Sequence, residues 1–455
     1  MKQLRALLLI FAAAAFFVAC GSTESYSENL EEQAAEHLDG DEIRLHGWRA
    51  DIEQFRAHII RWHPRFASNL INQRDENLDI RQAFDESVYE LLQNIQNLSD
   101  FEIQVEMQRS VALLRDNHFF FTGFAGYFST LRLVRYPLMF GHFSDGYYLY
   151  RAHVDFSEAL NLRLAYINGL PIQEVFDKFS NFWSVENIYD ARYQFATLLN
   201  ASIILRAIGV SDGEQVIYTF EGGVEITATE SHTWERLMTT LRWLPSVPLV
   251  DARVDGDLPL FHQNLRQNLW HDFVPEYGIL YVGIRGWVSD VQGVFARAVR
   301  NTFDDNDVAA VIIDARSNPG GDANQFIDLF SHFAQNLPEG KLFYFVNEGS
   351  NSGSLGAAFF LENLGAVIVG QPLAQNSDFY WFGSDASRLL LNYSGLEITP
   401  PPTFWSAQQM HGRQPDDGVF RPHVLIEYTI DDWISNRDPL FDYVVGRITS
   451  EEEEG

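Results

Sequence analysis

Apolar residues recur at helical spacing in the first readable part of the chain. Trp48, Ile52, Phe55, Ile59 and Trp62 share one face, and Pro64 closes that helix. Phe84, Val88, Leu91, Ile95 and Leu98 form a second stripe. Ser99 with Glu102 reads as a capping box for a third helix through Ile103, Met107, Val111 and Leu114. From Tyr136 the pattern turns mixed, with short strands at Tyr147–Arg151 and Arg163–Ile167. An Asn168-Gly169 turn follows, then a helix from Ile172 to Phe179. Residues 224–275 give little pattern. After Tyr277 strands and helices alternate: strand Ile279–Ile284, helix Val291–Val299, strand Ala309–Ile313, and a helix capped by Asp322. Strand Leu342–Val346, helix Gly353–Leu364 and strand Ala366–Val369 complete the series. Such alternation predicts a parallel sheet with right-handed crossovers and sites at the carboxyl ends of strands.

Two of those strand ends carry candidate chemistry. Asp314-Ala-Arg-Ser-Asn-Pro-Gly-Gly321 ends in a double-glycine turn, and Asn347-Glu-Gly-Ser-Asn-Ser-Gly-Ser354 places serines where a helix begins. Bare backbone N–H groups beside a hydroxyl are the minimum for acyl transfer. Ser352 is the candidate nucleophile, with Ser350 and Ser354 as competitors and a helix N-cap as the alternative role. Gly320, Gly321 and Gly353 are the candidate oxyanion hole, although a strand-to-helix turn needs glycine for its own reasons. The double-glycine turn lacks the lysine and Ser/Thr ending of a P-loop. His118 is the candidate base, with His411 and His423 as spare candidates; His63, next to Pro64, reads as a helix-end residue.

The amino terminus changes the picture of location. Lys2 and Arg5 precede an apolar run from Ala6 to Val18, too short to span a bilayer, and then Ala19-Cys20-Gly21. This resembles a bacterial lipoprotein signal, with Cys20, the single cysteine, as the lipid attachment site. No intrachain disulfide or cysteine-ligated metal can form. A net charge of −30 argues against nucleic acid and anionic surfaces as partners. Only Lys2, Lys178 and Lys341 could supply a lysine base.

The glycine and serine blocks resemble those of the tail-specific, or C-terminal-processing, serine peptidases. Arg115-Asp-Asn-His118 is similar to the segment preceding that family's catalytic domain. Ala165-Tyr-Ile-Asn-Gly-Leu-Pro-Ile172 resembles its PDZ-like turn, and residues 421–440 resemble its closing segment. The resemblance implies an α/β chain with a Clp-protease/crotonase-like core, an N-terminal helical domain and a PDZ-like peptide-binding module. The expected divisions are a signal peptide at 1–20, an acidic tether at 21–44 and the helical domain at 45–118. The PDZ-like region at 119–230, a connecting segment at 231–276, the catalytic domain at 277–446 and an acidic tail at 447–455 follow.

Many relatives use a Ser/Lys dyad, but residues 371–378, where that lysine falls, contain none. The resemblance therefore implies the branch similar to the tricorn core, with Ser352 and His118 paired. Asp116, Glu397 and Asp416 are candidates for the orienting acid. The reading is an extracytoplasmic, membrane-anchored serine peptidase acting on a peptide or protein, with no cofactor and no metal. A degenerate peptide-binding or scaffold lipoprotein is the alternative, and a non-peptidase hydrolase or acyltransferase the third reading.

Overall fold

The computed structural model describes residues 40–66, 75–121, 135–229, 249–251, 253–381, 387–412 and 415–454. The expected signal sequence, Cys20 and most of the expected tether lie outside them. Among the described residues no helix is long and apolar enough to cross a membrane.

The helical domain is built from α1 (Gly40–Trp62), α2 (Asp75–Asn94) and α3 (Asp100–Ala112). Its core joins Trp48, Phe55, Phe84, Ile103 and Met107. Helix α1 starts at Gly40, so residues 40–44 are helical where a tether was expected. The Ser99 capping box forms as its sequence predicts, with Ser99 accepting from the Glu102 N–H and Glu102 accepting from the Ser99 N–H.

The middle region pairs β1 (Leu138–Phe143) with β2 (Gly146–Ala152). A second sheet takes in β3 (Leu164–Ile167), β4 (Gln215–Phe220) and β5 (Glu225–Thr229). Helices α4 (Ile172–Ser180) and α5 (Ile188–Leu198) pack into the same core through Val175, Phe179 and Phe195. Asn168 and Gly169 both adopt positive φ, at 48° and 77°, which the Asn-Gly pair tolerates and most residues do not.

The third region is a six-stranded sheet that opens ahead of the predicted limit at residue 277. Strand β6 (Leu269–Val274) runs antiparallel to β7 (Ile279–Ile284), so the sheet begins inside the expected connecting segment. Then β8 (Ala310–Asp314), β9 (Leu342–Val346), β10 (Val367–Gly370) and β11 (Val424–Leu425) add in parallel. Strands β7, β8 and β9 are buried at every position, as expected for strands covered on both faces. Helices α6 (Val294–Asp304), α7 (Ile327–Asn336) and α8 (Gly353–Asn363) cover one face. Helix α9 (Pro439–Glu454) covers the other through Leu440, Val444 and Ile448. The expected acidic tail therefore continues α9 to Glu454. Glutamate is a good helix former, and the buried stripe ahead of it supplies the anchor. Helix α6 starts at Val294, later than its pattern suggests, because Asp290 accepts the Phe295 and Ala296 N–H groups and Gly293 turns at a φ of 64°.

Candidate active site

Strands β8 and β9 are parallel neighbours, so the loops leaving their carboxyl ends lie side by side. Arg316 anchors the first loop, held by Asp314 beside it and by Asp438 just ahead of α9 through paired contacts of 2.9 and 2.6 Å. Asn318 shapes the turn: its Nδ2 donates to the Ile284 carbonyl and its Oδ1 accepts the Gly320 N–H, both at 2.9 Å. The second loop is stitched to the first where the Asn351 N–H meets the Asn318 carbonyl at 2.9 Å and the Ser317 N–H meets Asn347 Oδ1 at 2.7 Å.

These contacts separate the three serines. Ser350 is fully buried and donates to the Ala315 carbonyl at 2.8 Å while accepting the Asn347 N–H. Ser354, also fully buried, accepts Trp287 Nε1 at 3.0 Å and donates to the Asn318 carbonyl. Both hydroxyls serve the framework. Ser352 sits at the N-cap position of α8, yet its side chain caps nothing, and its Oγ makes no hydrogen bond among the described residues. Its backbone stands at φ 52° and ψ −113°, a strained turn for a residue with a Cβ. Such a strand-to-helix elbow pushes a side chain out of the framework.

The three glycines fit closely around it. A Cβ on Gly320 would lie 2.4 Å from Ser352 Cβ, and one on Gly353 would lie 2.1 Å from the Gly321 carbonyl oxygen. The Gly320 N–H is committed to Asn318, so it is not available to a substrate oxygen. Among the described residues the amides of Gly321 and Gly353 have no hydrogen-bond acceptor.

His118 reaches this place from the end of the helical domain. Asp116 accepts the His118 N–H at 2.9 Å and faces His63 Nε2 at 3.0 Å. His63 Nδ1 accepts the Arg65 N–H, so its proton sits on Nε2 and is donated to Asp116. Burial pushes the His63 pKa down despite that carboxylate. Asp116 therefore positions the His118 backbone. The ring stacks on Phe379 at 5.6 Å and turns Nδ1 toward Gln375 Nε2 at 3.2 Å, with Glu186 Oε1 at 3.9 Å. Gln375 is fully buried, and its Oε1 accepts the Ser352 N–H at 2.5 Å. One carboxamide thus spans from the serine to the histidine.

Glu186 comes from the turn before α5, and its Oε2 accepts the Asn376 N–H at 2.9 Å. Burial, its largest cause, raises the Glu186 pKa, and burial with the nearby Glu186 charge lifts Asp190 to about 7. Of the acids expected for His118, Glu397 pairs with Arg388 at 2.7 Å, and Asp416 is exposed. His411 stacks on Phe359, while His423 bridges the Ile368 N–H and Glu362. Lys178 faces Glu174 one turn away, and Lys341 lies at the opposite end of β9 from Ser352. Asp116, His118 and Glu186 could gather around a metal, since their ligand atoms lie within 4.8 Å of one another. Asp116 is already bonded to His63 and the His118 amide, however, and the Gln375 amide nitrogen faces the other two.

Sequence reasoning missed Glu186 and Gln375. Gln375 lies in the stretch marked by its missing lysine, whereas Glu186 carries no local signal at all.

Residues 278–339 match Peptidase family S41, a stretch that holds Gly320 and Gly321 and ends before Ser352. The chain is also similar to mature CPAF complexed with lactacystin, at a TM-score of 0.56 and 12% identity, over 89% of this chain and 98% of that one. Residues 278–339 are thus similar to the S41 peptidases, and the mixed α/β fold is similar to that of mature CPAF. Uncomplexed mature CPAF aligns at the same score and identity over 88% and 96% of the two chains. The photosystem II D1 C-terminal processing protease aligns at 0.37 and 12% over 83% and 93%. No curated protein matches the chain by sequence.

Proposed function

We propose that this chain is a lipid-anchored, extracytoplasmic serine peptidase. Ser352 Oγ attacks the scissile carbonyl carbon while His118 takes its proton, and the same proton then passes to the leaving amine. Water, deprotonated by His118, cleaves the acyl-enzyme and releases the new carboxylate. Glu186 is the acid that orients the histidine, and the Gly321 and Gly353 amides hold the oxyanion. The carrying observation is the Ser352 hydroxyl, the one of three serines left out of the framework, on a strained elbow beside two unused amides. A Clp-protease/crotonase-like reading of the sheet and a PDZ-like reading of β3 to β5 fit this activity. Edge strand β5 would take an extended peptide by strand addition. Cys20 carries the lipid that holds the chain in the cell envelope.

The test is cleavage of an unfolded polypeptide such as β-casein by wild type, Ser352→Ala and His118→Ala. Wild type is expected to cut and both variants to fail; equal cleavage by Ser352→Ala would overturn the assignment. One observation favours the peptide-binding, non-cleaving alternative: a carboxamide nitrogen, not a carboxylate, touches His118 Nδ1. Binding of casein without cleavage by wild type would support it.

A further inference from the structure

Gln375 is buried without exposure between the two reacting groups, and its orientation is fixed by chemistry. A backbone N–H can only donate, so the Ser352 amide must meet the carboxamide oxygen, as it does at 2.5 Å. The carboxamide nitrogen then faces His118 Nδ1 at 3.2 Å and Glu186 Oε1 at 3.4 Å. An NH2 group donates, so Nδ1 must accept, and the proton of a neutral imidazole is driven onto Nε2. That is the wrong tautomer for a base that works through Nε2, and Glu186 stands off at 3.9 Å. In the Ser-His-Asp template, a wrong tautomer with intact geometry costs about 10⁴ in rate.

We propose that Gln375 is a latch that holds the site at rest by keeping Glu186 off His118, its carboxamide oxygen anchored on the Ser352 amide; this rests on the Ser352/His118 reading above. When the carboxamide swings away, Glu186 Oε1 takes the Nδ1–H of His118, Nε2 becomes the acceptor for the Ser352 proton, and the Ser352 amide stays on Asn351 Oδ1, 2.7 Å away. Nothing is oxidised or lost in the switch; one proton moves from Nε2 to Nδ1 of the same ring. Gln375 is a positioning residue and touches no substrate. The linkage of loop 373–376 to the middle region supplies a handle. Asn187 Nδ2 contacts the Leu373 carbonyl and Asn376 Oδ1, both at 3.3 Å, so movement of α5 moves the latch.

The test uses the whole protein with Gln375→Met, which keeps the volume and loses all three hydrogen bonds, and Gln375→Ala as a second replacement. The imidazole ¹⁵N signals of His118, assigned by their loss in His118→Gln, report the tautomer in mildly alkaline buffer. The expected result is Nε2–H in wild type and Nδ1–H in both variants. Labelling of Ser352 by a fluorophosphonate is expected to quicken at least about tenfold, a small part of the tautomer effect above. That gain is expected to vanish when Glu186→Gln is added. An unchanged tautomer, or slower labelling in both folded variants, would overturn the latch. A tautomer switch with no labelling in any variant would uphold the latch on His118 and sink the peptidase reading instead.

Discussion

Gly320 gives the sharpest test of how the strand-end loops set the nucleophile. Its φ is 117°, and an added methyl carbon would stand 2.4 Å from Ser352 Cβ and 3.1 Å from Ser352 Oγ. Carbon atoms settle at about 3.5–4.0 Å, so Gly320→Ala forces the serine back by roughly 1 Å. A displacement of that size costs about 10² in rate, close to 3 kcal/mol. The backbone strain adds about 1–3 kcal/mol against folding, which lowers Tm by roughly 5 °C. Gly356, in helix α8 with nothing within 4 Å of its missing Cβ, is the matched control. Gly356→Ala is expected to keep full activity and gain about 0.5–1 kcal/mol of stability. The assay is kcat/KM on a fluorogenic peptide beside a thermal melt. A folded Gly320→Ala protein working at the wild-type rate would refute the close packing of Gly320 on Ser352.

Other consequences are open to direct measurement. Burial holds Asp190 at about 7 instead of its ordinary 3.8, so its folded form keeps a proton that the unfolded chain gives up earlier. Stability from that proton is complete below about pH 4 and is lost as pH rises toward 7, by about 4 kcal/mol at most. Asp190→Asn should flatten that slope in denaturant titrations between pH 4 and pH 8; an unchanged slope would show that the acid is not held protonated. Asp116→Asn sets its NH2 against one of two donors, His63 Nε2–H or the His118 N–H, whichever way the carboxamide turns, and should cost about 1–3 kcal/mol in chemical denaturation. Arg316→Met leaves Asp314 and Asp438 buried without their cation and should cost about 3–5 kcal/mol, read by the same method. Cys20→Ser should move the protein from membranes to the soluble fraction, which fractionation checks.

Much of the sheet could be read because its strands are buried on both faces and therefore appear as unbroken apolar runs, as in Val311 to Ile313 and Leu342 to Val346. Strand β6 escaped because its Leu269-Trp-His-Asp-Phe-Val274 sequence mixes charge with apolar residues, as an edge strand's can. The two loop motifs fall at neighbouring strand ends, as their pattern predicts, but local sequence could not remove Ser350 and Ser354 as competitors of Ser352. That choice depends on who accepts and donates across the loops: Ala315, Trp287 and Asn318 take two hydroxyls into the framework. The same kind of contact withdraws the Gly320 N–H, through an Asn318 side chain whose direction no spacing rule gives. Glu186 was invisible for another reason. It belongs to the core of the middle region and meets His118 only when three regions of the chain close on one another.

The central claim is that Ser352 is an activated nucleophile, and covalent labelling tests it most directly. The purified protein is treated with a fluorophosphonate, digested, and the modified residue is located by mass spectrometry, beside Ser352→Ala and His118→Ala. The account predicts one adduct, on Ser352, lost in both variants. Labelling at Ser350 or Ser354, or undiminished labelling of His118→Ala, would contradict it.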